Sequence, residues 1–99
     1  MKTIITAIAF TLATTAAQAS PTSDFCHGLA NITEATAEAR DAGVSRKKVK
    51  SLWAQKDLGD LLGSVLDLVD LVYNSPWETP TDLAVGTYKT CMVTLSTPV

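Results

Sequence analysis

The sequence predicts an all-α domain of four helices that follows a cleaved signal peptide and is closed by one disulfide. Three observations predict it: a helical repeat over residues 58–73, an apolar leader over residues 1–19, and one pair of cysteines, Cys26 and Cys91. No segment has the strict alternation that is typical of a half-buried strand. We therefore divide the chain into a signal peptide, 1–19, and a single helical domain, 20–99.

The central element is Leu58–Tyr73, which has the clearest helical repeat in the chain. At about 100° per residue its apolar side chains share one arc and its aspartates lie opposite. We expect Asp57 to cap the start of this helix, because a carboxylate suits the free amides of a helix N-terminus. The arc comprises Leu58, Leu61, Leu62, Val65, Leu66, Val69, Val72 and Tyr73.

The first nineteen residues have the three parts of a secretory signal peptide. Lys2 supplies the positive start, 4–13 is apolar, and Ala17-Gln18-Ala19 is a typical cleavage site. The alternative, a membrane helix, needs about 20 apolar residues to cross the hydrocarbon core. We expect a mature chain that begins at Ser20, has no membrane span and is periplasmic or extracellular.

The two cysteines are predicted to form a structural disulfide. A domain of this size buries a core that barely offsets its ordering entropy, and exported proteins meet an oxidising compartment. A metal or redox role is the alternative, but Cys26 and Cys91 lack the C-x-x-C spacing of such sites.

The first helix is predicted to begin at Ser23 or Asp24 and to end at Ala42, with Gly43 in a left-handed cap. Arg40 projects on the apolar side of this helix. Either its head reaches solvent over its own methylenes, or a carboxylate of another helix draws it inward. The predicted inward arc is Phe25, Leu29, Ile32, Thr36 and Ala39, with Cys26 and Thr33 beside it.

Two shorter signals define the remaining helices. Ser45 is placed to cap a short helix from Arg46 to about Lys56. Thr79 followed by Pro80 is a well-formed start for a last helix that runs to about Thr94. Its predicted inward side comprises Leu83, Ala84, Thr87, Tyr88, Cys91 and Leu95.

The charge of the chain argues against nucleic acid as a partner. Removing Lys2 from the eight Lys and Arg residues leaves seven, against ten Asp and Glu residues, a net charge near −3. A basic block lies at 46–56, and every charged residue from Asp57 to Asp82 is acidic. We interpret the two as solvated helix faces that attract each other; a docking surface for a charged partner is the alternative.

The residues that catalysis would need are scarce. His27 is the only histidine, with Asn31 and Glu34 on its face, and no activated nucleophile accompanies it. Asp60 and its neighbours lie on a convex helix face without a loop that gathers oxygen ligands. We expect His27 to be a surface residue and the protein to be no enzyme, with no metal site and no cofactor.

Candidate binding residues are apolar or aromatic. Leu68 and Leu71 widen the apolar surface of the long helix beyond what its neighbours need, which indicates a partner-facing edge. Trp77 and Tyr88 are the aromatics placed to line a hollow between the long helix and the last one, or to pack as core and lid. Arg40 is the fifth candidate binding residue, with Leu68, Leu71, Trp77 and Tyr88.

Several short features resemble short, uncharacterised, exported proteins of proteobacteria: Cys26, 39–45, 72–76, the Pro80 helix start and Cys91. The resemblance covers most of the mature chain and implies secretion and an all-helical disulfide fold, and no activity. The Gly43-Val44-Ser45 turn and the Tyr73–Pro76 helix end are more faintly similar to periplasmic immunity proteins against type VI secreted amidases. This chain departs from them in having two cysteines only and in lacking an aromatic-glycine segment after the first.

The sequence therefore predicts a protein-interaction module that binds another exported protein as an inhibitor, an immunity-type protein or a stress-related chaperone. The alternative is a small-ligand carrier that uses a hollow near Trp53, Trp77 and Tyr88. A remote alternative is an enzyme that uses His27 with an acidic partner. The specific target and the oligomeric state do not follow from the sequence.

Overall fold

A computed structural model describes residues 21–96, and this range contains four α-helices, one 3-10 helix and no strand. The predicted all-α, four-helix class is confirmed. The predicted signal peptide, the mature start at Ser20 and the residues after Ser96 lie outside the described residues. The helices are α1 (Pro21–Asp41), α2 (Arg46–Ala54), the 3-10 helix (Gly59–Leu61), α3 (Leu62–Tyr73) and α4 (Pro80–Ser96).

The predicted disulfide joins α1 to α4. Cys26 and Cys91 are 65 residues apart in sequence, and their Cα atoms are 5.6 Å apart. Both residues are buried. Around this bridge α1 and α4 contact each other more extensively than any other two helices of the described chain.

The buried face of α1 consists of small side chains, so the predicted inward arc is partly wrong. Phe25, predicted to point inward, is 41 % exposed. The disulfide and the close approach of α4 turn the small side of the helix inward, because a large ring there would hold the two backbones apart. The buried residues of α1 are Cys26, Ala30, Thr33, Thr36 and Ala37.

Buried hydroxyls in this interface are paired. The Thr33 hydroxyl donates to the Leu29 carbonyl oxygen at 2.9 Å, and the Thr87 hydroxyl donates to Thr33 Oγ1 at 3.1 Å. A buried hydroxyl without a partner would cost stability, so these bonds let threonine occupy core positions.

The helix boundaries follow local rules at three of the predicted caps. Gly43 ends α1 with a φ of 90°. Ser45 Oγ accepts a hydrogen bond from the Lys48 amide, and Thr79 Oγ1 accepts one from the Asp82 amide, each at 3.1 Å. These predictions are confirmed.

The start of the long helix differs from the prediction. Gly59 has a φ of 58°, and the 3-10 helix that begins there precedes α3. Neither helix has a side-chain cap, so the predicted cap by Asp57 is wrong. The left-handed turn at Gly59 separates Asp57 from the first amides of α3.

The core lies where α3 and α4 meet α1. Val65, Val69 and Val72 of α3 are fully buried, as the helical repeat predicts. Val72 packs with Ala37 of α1 and Leu83 of α4, and Tyr73 covers this cluster. Leu95, predicted to point inward from α4, is 51 % exposed.

Helix α1 is the common support of the other helices. It packs on α4 and, less extensively, on α3, and α2 packs on α3. Helices α3 and α4 approach each other closely over few residues, which leaves space between them. Within residues 21–96 no helix has the length and apolar character needed to cross a membrane.

Replacing Cys26 and Cys91 together by serine should lower the free energy of unfolding by about 4 kcal/mol, because the bridge closes a long loop in the unfolded chain. Urea denaturation followed by circular dichroism measures this difference against the oxidised protein. A loss below about 1 kcal/mol would contradict a structural role of the bridge.

Candidate functional site

An apolar groove with a volume of about 480 Å³ lies between α3 and α4. Phe25 and Leu29 of α1 line it, Leu68 and Leu71 belong to its α3 wall, and Leu83 belongs to its α4 wall. We call it the α3–α4 groove. It is open because the two helices that flank it pack more extensively on α1 than on each other.

The groove explains why large apolar side chains are exposed in this small protein. Phe25, Leu71 and Leu95 line the groove and are 41 %, 49 % and 51 % exposed. Contiguous exposed apolar surface is typical of binding sites. Leu68 and Leu71, which the sequence indicates as a partner-facing edge, both line the groove.

Trp77 lies in the segment between α3 and α4 and is 76 % exposed. It does not line the groove, but Glu78, the next residue, does. An exposed tryptophan beside an apolar groove extends the apolar surface that a partner can contact.

Arg40 is buried, and neither sequence-based alternative describes it correctly. Its side chain is 8 % exposed, so its head does not reach solvent over its own methylenes. Its partners on other elements are backbone carbonyl oxygens rather than a carboxylate of another helix. Arg40 Nη1 donates to Val72 O and Ser75 O, each at 3.0 Å, and Nη2 donates to Glu78 O at 2.7 Å.

The end of α3 accounts for the bond to Val72, which lies in its last turn, whereas Ser75 and Glu78 belong to the segment that follows. The last carbonyl oxygens of a helix lack intrahelical donors and carry the negative end of the helix dipole. A guanidinium supplies several donors and a positive charge to such a site. Arg40 Nε also donates to Asp41 Oδ1 at 2.9 Å, which leaves the cation with a carboxylate neighbour.

The same bonds fix the segment that carries Trp77. Ser75 and Glu78 stand on either side of the tryptophan in sequence, and Arg40 binds the carbonyl of each. The Glu78 amide also donates to Ser75 O at 3.1 Å, which closes a turn around Trp77. The indole is therefore presented from a backbone that is held on both sides.

Tyr88 and His27 form a separate surface contact. Their ring centroids are 4.5 Å apart, and Tyr88 Oη lies 3.3 Å from Ser23 Oγ. His27 is exposed, as predicted. Tyr88 does not line the α3–α4 groove, so the predicted hollow between the long and the last helix lacks this ring.

Trp53 lines a second groove, of about 420 Å³, between α1 and α2. Its Nε1 donates to Thr36 Oγ1 at 3.1 Å, which fixes the indole against α1. Neither groove is lined by Trp77 or Tyr88. Neither of these two grooves brings Trp53, Trp77 and Tyr88 together, and the hollow near them stays a prediction.

The basic block and the acidic face meet at Asp70. Lys50 Nζ and Arg46 Nη1 lie 2.8 Å and 3.3 Å from Asp70 Oδ1, and Arg46 also donates to Asn74 Oδ1 at 2.7 Å. The hydrogen bond from Lys50, helped by both positive charges, lowers the pKa of Asp70 below its usual value. The expected attraction between the two faces is confirmed here.

Tyr73 links this region to the end of α1. Its hydroxyl donates to the Val44 carbonyl oxygen, and the Arg46 guanidinium carbon lies 5.7 Å from the ring centroid. Burial raises the pKa of the Tyr73 hydroxyl, and the charges of Arg40 and Arg46 oppose that rise. The hydroxyl stays a donor at neutral pH.

Within the described range no group of three or more His, Cys, Asp or Glu side chains is placed to hold a metal ion. Asp60 and Asp67 are exposed on the outer face of their helices. The chemistry of the α3–α4 groove is that of apolar and threonine side chains with two carboxylates, Glu78 and Asp82, at one end.

Comparisons with protein-family models, with curated proteins and with solved structures found no match to this chain. The resemblance to exported proteobacterial proteins and to amidase-immunity proteins stays a prediction.

The groove residues outside α3 were not predicted to line a groove. Four of them were expected on the inward side of the last helix: Leu83, Thr87, Cys91 and Leu95. Phe25 and Leu29 were expected in the core, and Gly86, Thr90 and Thr94 of α4 were not singled out. Gly86, Thr90 and Thr94 are spaced by four residues and lie on the same side of α4 as the buried Leu83. This spacing of small residues is the signal that marks a shallow helix face.

Replacing Arg40 by methionine should lower the free energy of unfolding by about 3 kcal/mol, because three carbonyl oxygens lose a charged donor. Urea denaturation measures this difference in the free energy of unfolding. Lys50→Met is the control: Lys50 forms a solvent-accessible ion pair with Asp70, and its loss should cost less than about 1 kcal/mol. Equal losses for the two variants would contradict the role assigned to Arg40.

Asp70→Asn should destabilise the protein at pH 7 and not at low pH. Because the pKa of Asp70 is lowered on folding, its contribution is fully present above its unfolded value of 3.8 and is lost as the pH falls through the lower folded value. Denaturation midpoints of both proteins at pH 7 and at about pH 2 test this. A difference that persists undiminished in acid would contradict it.

Proposed function

We propose that this protein is an exported, non-catalytic module that binds another exported protein through the α3–α4 groove and Trp77. The observation that carries the proposal is an apolar groove that its own helices leave open, beside an exposed tryptophan in a backbone turn that Arg40 binds on both sides. An inhibitor, an immunity-type protein or a stress-related chaperone would each use such a surface.

Export is supported by two independent features. The leader over 1–19 has the parts of a signal peptide, and the Cys26–Cys91 bridge is of the kind that persists in an oxidising compartment. Between residues 21 and 96 both cysteines are in the bridge, so neither is a thiol nucleophile. These features favour a stable exported binder over a catalyst.

The exposed apolar side chains in and beside the groove are of the kind that contribute most to specific binding. Burying a leucine or phenylalanine side chain fully is worth about 1.5 to 3 kcal/mol. A few such residues, with one tryptophan, commonly dominate the affinity of a protein interface. Leu71, Phe25 and Trp77 are the exposed residues placed for that role.

A small-ligand carrier is the second candidate, favoured by the groove volume. About 480 Å³ falls in the range of small-molecule sites, and the lining is mostly apolar. This candidate uses the α3–α4 groove rather than the hollow predicted near Trp53. The enzyme based on His27 gains no support from the geometry, because the His27 ring stacks on Tyr88 away from both grooves.

Leu71→Asp should reduce capture of the partner by about tenfold or more, because it places a charge in an apolar contact, and Trp77→Ala should reduce it by removing an anchor. The measurement is quantitative mass spectrometry of proteins cross-linked to the exported protein in living cells. Val85→Asp is the matched control: Val85 is on α4, is 46 % exposed and does not line the groove.

One cross-linked protein should decrease with both groove variants and be unchanged with Val85→Asp. Equal recovery with all variants would contradict the proposal. Recovery of a small molecule that only Leu71→Asp displaces would favour the carrier instead.

A further inference from the structure

We propose that the partner segment is an amphipathic α-helix of about 13 residues, with an apolar face and Lys or Arg at the end that lies over Glu78 and Asp82. This inference rests on the proposed function and names the kind of segment that the α3–α4 groove takes. Three observations carry it: the length of the groove, the small residues of its α4 wall, and the charges at one end.

The length of the groove matches a short helix. Its α4 wall extends from Asp82 to Leu95. At 1.5 Å per residue this wall is about 20 Å long, which corresponds to a partner helix of about 13 residues. Laying the apolar face of a helix into such a groove is an established mode of peptide recognition.

The α4 wall is shallow where a partner backbone would approach. Gly86, Thr90 and Thr94 line the groove at intervals of four residues, so they form one row on the helix. A Cβ atom added at Gly86 would meet nothing within 4 Å, so the fold itself does not require glycine there. Glycine inside a helix costs about 1 kcal/mol relative to alanine. The space that it leaves is room for a second helix.

The negative charges at one end of the groove favour a partner with positive charge. Among residues 21–96, Glu78 and Asp82 are the charged side chains that line the groove, and both lie at the end where α4 begins. Neither carboxylate forms a salt bridge within residues 21–96. A partner that covers them removes water from both, which is costly unless it supplies cations. A basic end on the partner helix meets this requirement.

The test uses labelled model helices of about 13 residues with one leucine face and two lysines at one end. Fluorescence anisotropy with the oxidised, exported protein measures their dissociation constants. The lysine helix should bind at least about tenfold more tightly than the same helix with glutamates. A peptide of the same composition in scrambled order should not bind saturably.

Gly86→Leu should abolish binding of the lysine helix and leave the melting temperature unchanged or higher, because the new side chain fills the groove. Gly28→Leu is the matched control, since Gly28 is also helical, is also open and does not line the groove. Glu78→Lys should remove most of the preference for the lysine helix, because the new positive charge offsets the remaining carboxylate of Asp82. The Glu78 carbonyl that Arg40 binds is retained in this variant.

Equal binding of lysine and glutamate helices, or no saturable binding by either, would overturn the inference. If Leu71→Asp nevertheless reduced the recovery of a cross-linked protein, the proposed protein-binding function would hold and only the inference of a helical partner segment would fail. Self-association that Gly86→Leu prevents would overturn the helix inference in favour of a second copy of this chain as the occupant of the groove. Displacement of the lysine helix by a fatty acid at low concentration would overturn it in favour of a small ligand.

Discussion

The structure depends on one buried guanidinium. Arg40, near the end of α1, binds the carbonyl oxygens of Val72, Ser75 and Glu78 and so fixes where the chain leaves α3 and turns toward α4. A charge in this position is tolerated because the guanidinium donates to three carbonyl oxygens and lies beside the Asp41 carboxylate. The turn that carries Trp77 depends on these bonds.

A second cross-link acts at the other end of α1. The Cys26–Cys91 bridge holds α4 there, whereas Arg40 holds the end of α3 about 20 Å away along the same helix. With α3 and α4 each tied to α1, the two need little direct contact with each other. The apolar groove between α3 and α4 is thus a consequence of the two cross-links to α1. These cross-links keep the groove open in a domain that has only a small core.

Local rules were sufficient for three helix ends and insufficient for the start of α3 and for the helix faces. Ser45, Thr79 and Gly43 act through their nearest neighbours, so their roles could be predicted from the sequence. The rotation of α1 could not, because its buried side is made of alanine, threonine and cysteine, and only the disulfide and α4 decide which side is inward. Of the groove, Leu68 and Leu71 were predictable from an oversized apolar arc. The remainder depends on how three helices are arranged.

The most direct test of this account is amide hydrogen exchange at Glu78 in the oxidised protein. Its amide donates to Ser75 O inside the turn that Arg40 holds. If Arg40 fixes this turn, the Glu78 amide should exchange at least about a hundredfold more slowly than an unstructured amide. Exchange at the unstructured rate would show that the segment carrying Trp77 is not held, and it would contradict the account.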